Sequence, residues 1–217
     1  MVLKQNFKAS MKTLLVSGLA FLIVLTCLLS CTPASTPTPT TPSPTSPTPS
    51  PTMPKPADVW SADGVITMRE YSGNMQEGKY LISWWSDTQY VYIGIRVETS
   101  GWVVVGIQPG SKMKDADMVF GFVEDGRVEI YDLFSTGDFG PHPPDTELGG
   151  TDDILEFGGT ETDGFTTIEF KRALDTGDEF DIPLSQGVNR IIWAYGSSDG
   201  LAARHSNRGY GEINLSS

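Results

Sequence analysis

Two histidines, His142 and His205, and two cysteines, Cys27 and Cys31, are the only imidazoles and thiols in this 217-residue chain. Imidazole is the commonest metal ligand and the usual proton carrier near neutral pH. Two of them cannot build a catalytic copper or iron centre, which needs several. Both cysteines precede residue 32. The remainder therefore has no thiol nucleophile, thiolate zinc site, cysteine-held iron–sulfur cluster or internal disulfide. No His-Glu-x-x-His string is present. Carboxylates are so abundant that picking a glycosidase pair from them is arbitrary. The expectation is that this chain is not an enzyme by itself. Asp115 with Asp117, or Asp152 with Asp153, offers oxygen ligands to calcium, yet neither follows the Asp-x-Asp-x-Asp-Gly loop register. Five tryptophans, Trp60, Trp84, Trp85, Trp102 and Trp193, are the candidates for stacking on a sugar ring. Strand alternation sends Trp84 and Trp85 to opposite faces, one into the core and one outward, while Trp102 and Trp193 are expected in the core.

The elements that must position these groups begin with a leader. Lys4, Lys8 and Lys12 precede an uncharged apolar run, 14–29, that ends Leu28-Leu29-Ser30-Cys31. Sixteen residues are short for a spanning helix, which needs about twenty. Residues 1–30 are similar to a bacterial lipoprotein signal, which implies that Cys31 is lipidated and becomes the mature N-terminus. The lysines stay inside, so the chain beyond the leader is expected outside the cytoplasm, anchored to the cell membrane. Residues 31–57 hold Cys31 and then a Pro/Thr/Ser stretch with ten of the fifteen prolines. That composition favours extended polyproline II, a spacer reaching at most ~80 Å at about 3.1 Å per residue.

Residues 58–217 form the globular part, with 11 basic and 27 acidic residues. So acidic a balance argues against nucleic acid as a partner. Alternating apolar runs at 79–85 and 90–97 predict a hairpin turning at 86–89. Further strands are predicted at 102–107, 118–124, 128–134, 154–158, 165–171, 191–195 and 211–215. Turn signals such as Asp125-Gly126 and Asp163-Gly164 separate them. No segment of ten or more residues shows a helical period. This is the pattern of an all-β, antiparallel, immunoglobulin-like sandwich.

Three segments then carry a resemblance: 101–107 (GWVVVGI), 113–118 (MKDADM), and 191–196 (IIWAYG) leading to 205–209 (HSNRG). With 167–172 (TIEFKR) before the last of these, their order and spacing resemble the DOMON domain of extracytoplasmic redox proteins. The likeness is to the copper-monooxygenase branch related to dopamine β-monooxygenase and to the haem b cytochrome domain of cellobiose dehydrogenase. In the haem-binding branch, the iron is held by a methionine after the Gly-Trp strand and a histidine after the Trp-Ala strand. The resemblance thus implies haem b with Met113 and His205 as axial ligands.

Thioether and imidazole suit low-spin haem, and the thioether raises the potential relative to two imidazoles. Met113 sits in a polar loop, an odd place for an apolar side chain. Met118, the rival thioether, falls within a strand and is expected to be packed, and His142 is expected at the surface. Lys112, Lys114, Arg204 and Arg208 flank the two ligands and are candidate contacts for the haem propionates. The resemblance implies one-electron transfer with a redox partner protein at the membrane surface. Asp145, Glu147, Asp152 and Asp153 of residues 136–153 are read as the charges of a solvated surface loop, with a docking patch for a basic electron-transfer partner as the alternative. Two readings stand beside it: a haem-free DOMON module that binds carbohydrate or another cell-surface ligand, and a structural lipoprotein.

Overall fold

The structure is a computed structural model that describes residues 60–216. The leader 1–30, the lipidation site Cys31 and the proline-rich stretch to 57 lie outside the described residues. Among those described, no helix is long and apolar enough to cross a membrane. Ten strands succeed one another: β1 (Gly73–Glu77), β2 (Tyr80–Ser86), β3 (Tyr90–Val97), β4 (Val103–Ile107), β5 (Asp117–Glu124), β6 (Arg127–Phe134), β7 (Ile154–Thr162), β8 (Phe165–Ala173), β9 (Gly187–Gly196) and β10 (His205–Leu215). One short helix, α1 (Asp145–Leu148), lies between β6 and β7. The strands form two five-stranded sheets, ordered β1-β2-β3-β8-β7 and β10-β9-β4-β5-β6. Every pairing is antiparallel. The architecture is an antiparallel β-sandwich, as the strand pattern predicts.

Side chains alternate between the two faces of each strand, and the inward set makes the core. Tyr80, Ile82, Trp84, Ile93, Ile95, Ile168 and Phe170 of one sheet meet Val103, Val105, Val119, Ile191, Trp193 and Ile213 of the other. Two buried polar tips find backbone partners across the gap. The Tyr80 hydroxyl donates to the Val104 carbonyl at 2.9 Å, and Trp84 Nε1 donates to the Asn214 carbonyl at 3.0 Å. The hairpins β5–β6 and β7–β8 close through Asp125-Gly126 and Asp163-Gly164. Both residues of each turn have positive φ, which matches the right-handed twist of the flanking strands.

Residues 60–72 run over the outer face of the β1-β2-β3-β8-β7 sheet. The buried carboxylate of Glu169 fastens them, accepting from the Tyr71 hydroxyl and from the Gly64 amide, each at 2.7 Å. Trp60 Nε1 donates to the same hydroxyl at 2.9 Å. A Cβ at Gly94, on that face, would come within 2.6 Å of the Tyr71 oxygen, so glycine admits the crossing. Trp85 is buried there against Tyr92 (ring centroids 4.7 Å apart), not exposed as strand alternation suggested. With Trp84, Trp102 and Trp193 buried as well and Trp60 half-buried, none of the five tryptophans stands exposed as a sugar platform.

Candidate functional site

Outer faces of sandwich sheets are ordinarily polar, because they meet water. The outer face of the β10-β9-β4-β5-β6 sheet is apolar across its middle. Residues directly opposite in an antiparallel ladder share a face. One row is therefore Ala194, Val104, Phe120 and Tyr131, and the next is Ile192, Gly106, Met118 and Leu133. Trp102 lies at the margin of this layer, 4.9 Å from Phe120 by ring centroids, and Phe122 continues the aromatic run. Trp102 fits because Gly196 beside it has no side chain; a Cβ there would overlap the indole. Trp102 is 4% exposed, yet its Nε1 has no acceptor.

Two loops reach this layer from opposite ends. β4 and β9 are antiparallel, with Ile107 opposite Ile191 and Val103 opposite Tyr195. Residues 108–116 thus leave the sheet at the Ile107 end, and residues 197–204 leave it at the Gly196 end. Met113 of the first loop and Ala203 of the second both pack on the Trp102–Phe120–Met118 layer. Met118 is itself a buried member of it, as expected for a strand methionine.

His205 opens β10 instead of lying in a loop. It pairs with Gly196, Asn207 pairs with Tyr195, and Ser206 between them is a β-bulge. The extra residue decides the orientation of the histidine. Gly196 shares its face with Ala194 and Ile192, so His205 stands on the apolar outer face, and so does Arg208 opposite Ala194. Without the bulge, residues 205 and 208 would face opposite ways. Instead, Arg208 Nη1 donates to His205 Nε2 at 3.3 Å. A guanidinium only donates, so the neutral ring carries its proton on Nδ1.

The four flanking cations divide into two pairs. Lys112 and Lys114 are on Met113's loop, and Arg204 and Arg208 adjoin His205. All four are exposed. Lys112 lies 3.4 Å from Asp138 and 4.0 Å from the centre of the Phe139 ring, and Ser111 Oγ donates to Asp138 at 3.1 Å. Met113's loop is thereby tied to residues 135–142. His142, expected at the surface, is half-buried, with Nδ1 3.2 Å from Ser135 Oγ, and burial lowers its pKa. The string Gly196-Ser197-Ser198-Asp199-Gly200 matches Gly-x-Ser-x-Gly. A nucleophile elbow joins a strand to a helix, whereas this string joins β9 to β10.

A second cluster gave no sign of itself in the sequence. Arg172 of β8, 1% exposed, points between the sheets. Its Nη1 donates to Asp117 Oδ1 at 2.8 Å and to Asp181 Oδ1 at 2.9 Å. Asp132 is also buried and accepts from the Asp153 amide at 2.9 Å. Asp145, expected on a surface loop, is 1% exposed. Burial dominates the proton affinities here. It pushes Asp132 up to about 8, partly offset by the Asp153 amide, and Asp145 up to about 7, reinforced by Asp181 and Asp117. Asp181 rises to about 6, burial outweighing Arg172. Burial alone would lower Arg172, but Asp117 and Asp181 hold it above its ordinary value. The calcium pair Asp115 and Asp117 is separated: Asp117 is buried and committed to Arg172, while Asp115 is exposed.

A family model described as DOMON domain matches residues 76–196, more than half of the chain. The DBH-like monooxygenase protein 1 of Homo sapiens is 33% identical over 146 residues, covering 64% of this chain and 22% of its own length. Its Mus musculus counterpart is 33% identical over 123 residues, covering 57% and 19%. The chain thus spans about a fifth of the length of these relatives. Among solved structures, the cytochrome b domain of pyranose dehydrogenase from Coprinopsis cinerea matches with a TM-score of 0.45 at 17% identity, covering 62% of this chain and 74% of that one. The cytochrome domain of Myriococcum thermophilum cellobiose dehydrogenase matches with a TM-score of 0.47 at 11% identity, covering 66% and 81%.

Proposed function

The chain belongs to the DOMON domain family, and on that premise we propose that it is a haem b-binding electron-transfer module tethered outside the cytoplasm. One observation carries the reading. Met113's loop and the loop that leads into His205 pack on one apolar sheet face, and the Ser206 bulge turns His205 to that same face. The donor chemistry fits the group: a thioether, an imidazole and an aromatic, water-excluding floor. The unpartnered indole N–H of Trp102 adds a donor at the margin of that floor. Haem held there would take up and release single electrons.

The chain's own residues would do the rest. Met113 and His205 would hold the iron, and Trp102, Phe120 and Ile192 would exclude water. Arg204 and Arg208 beside the histidine, or Lys112 and Lys114 beside the methionine, would pair with the propionates. Since Met113 and Ala203 lie directly on the layer, a flat ring enters only when the two loops part. Arg208 must also release His205 Nε2 if that nitrogen is to bind metal. A lipid on Cys31 and the proline-rich spacer would keep the domain near a redox partner at the membrane, raising its effective concentration. In this role the chain carries electrons, and chemistry on a substrate belongs to its partner.

The test uses haem-loaded protein and four variants. Met113→Ala and His205→Ala are each expected to convert a six-coordinate low-spin spectrum into a five-coordinate one. His142→Ala and Met118→Leu are expected to leave it unchanged. A low-spin spectrum that survives in either of the first two variants removes that residue as a ligand.

A further inference from the structure

We propose that the buried aspartates behind Met113's loop form a binding site for one divalent cation of the calcium type. Asp117, Asp132 and Asp181 each present a carboxylate oxygen, and these three atoms lie within 4.8 Å of one another. Calcium–oxygen bonds run about 2.3–2.6 Å, so a single ion reaches oxygens at that spread. All three side chains are buried.

A fourth group points to the ion independently. Asp145 belongs to α1, outside the trio, and is 1% exposed; neither of its carboxylate oxygens has a hydrogen-bond partner. Pro144, the residue before it, bridges antiparallel to Leu133, the residue after Asp132, and this pairing brings Asp145 beside the trio, where Asp181 and Asp117 are its strongest charge neighbours. The donors that do reach the cluster leave it incomplete. Arg172 occupies Asp117 Oδ1 and Asp181 Oδ1, the Ile182 amide occupies Asp117 Oδ2, and the Asp153 amide occupies Asp132 Oδ2. Asp132 Oδ1, Asp181 Oδ2 and both oxygens of Asp145 remain without a donor. Four buried carboxylates thus face one guanidinium, and buried charges ordinarily come paired or metal-bound.

The ligand set selects the ion. It is all carboxylate oxygen, which suits hard cations over zinc or copper. Ligands scattered over β5, β6, α1 and residues 174–186 are irregularly disposed. Calcium tolerates that, whereas magnesium demands near-ideal octahedral geometry. Asp117 directly succeeds residues 108–116, so an ion bound here would anchor the base of Met113's loop. Such an ion would bind whether or not haem is present.

Protein treated with EDTA would be titrated with calcium chloride by calorimetry, with magnesium chloride as the comparison, and melted at each calcium level. The expected result is one calcium per chain and a melting temperature raised by roughly 5–10 °C at a hundredfold excess over Kd. Both effects should be lost in Asp132→Asn and in Asp145→Asn. No calcium uptake by the wild type overturns the proposal. Uptake undiminished in both variants also overturns it, because the acidic surface would then be the binder. Should a variant fail to fold, the anomalous signal of calcium soaked into wild-type crystals decides, lying at these carboxylates or elsewhere.

Discussion

Replacing Arg172 by methionine keeps a long apolar stem between the sheets and deletes the guanidinium. Two charge-assisted hydrogen bonds disappear, at 2.8 and 2.9 Å, and with them the positive charge facing Asp117, Asp132, Asp145 and Asp181. Hydrogen bonds to charged groups contribute about 1.5–3 kcal/mol each, and removing one partner of a buried ion pair costs about 3–5 kcal/mol. The two routes agree on a loss of about 4 kcal/mol. For a domain of this size that lowers the melting temperature by about 8–16 °C. The loss has a pH signature. Asp132, Asp145 and Asp181, at about 8, 7 and 6 when folded, hold their protons more tightly folded than unfolded. Their share of stability is therefore present at low pH and falls as pH rises from about 4, the unfolded value, through those folded values. Without Arg172 the ionised forms lose their favourable neighbour, and the fall steepens. Urea unfolding in EDTA at pH 5 and pH 8 should show the variant's deficit to be larger at pH 8. A deficit below about 1 kcal/mol at pH 8, or one equal at both pH values, would refute the reasoning.

Deleting Ser206 removes the extra residue of the bulge between His205 and Asn207. With Ser206 gone, His205 adjoins Asn207 in regular register, still opposite Gly196 and on the same face as Arg208, so haem-loaded protein should keep its low-spin spectrum and its unfolding free energy within about 1 kcal/mol. Loss of the low-spin spectrum in the deletion variant would contradict binding by His205 from the outer face opposite Gly196. Tyr71→Phe takes a donor from the buried carboxylate of Glu169 and the acceptor from Trp60. Urea unfolding should show about 2 kcal/mol of destabilisation, and proteolysis should cut first within residues 60–72; equal cleavage rates in wild type and variant would contradict the fastening role.

The sandwich was legible where both faces of a strand are buried. β2, β3, β4, β5 and β8 read directly from their apolar alternation, and Asp-Gly turns marked two hairpins. The edges were not legible. β1 (GNMQE) is polar and held by its ladder to β2, so nothing in its composition signals a strand. The first half of β10, His205–Arg208, is exposed and polar, and only its pairing with β9 makes it strand. The bulge that orients His205 is a register event, with no residue type that announces it. Met113 and His205 came from a family resemblance, and the structure adds that their loops share one apolar layer. The Arg172 cluster joins residues up to 64 positions apart, from Asp117 to Asp181. Asp117 stood out in the sequence only beside Asp115, Asp145 was read as part of a surface loop, and only the closing of the two sheets buries the four aspartates together.

The most direct test of the haem reading is an absorption spectrum of the purified chain, produced with haem available and then reduced with dithionite. The predicted result is a sharp Soret band, with α and β bands emerging on reduction, as low-spin iron held by methionine and histidine gives. A colourless protein that takes up no added haem would contradict it and leave a haem-free binding module as the reading to pursue.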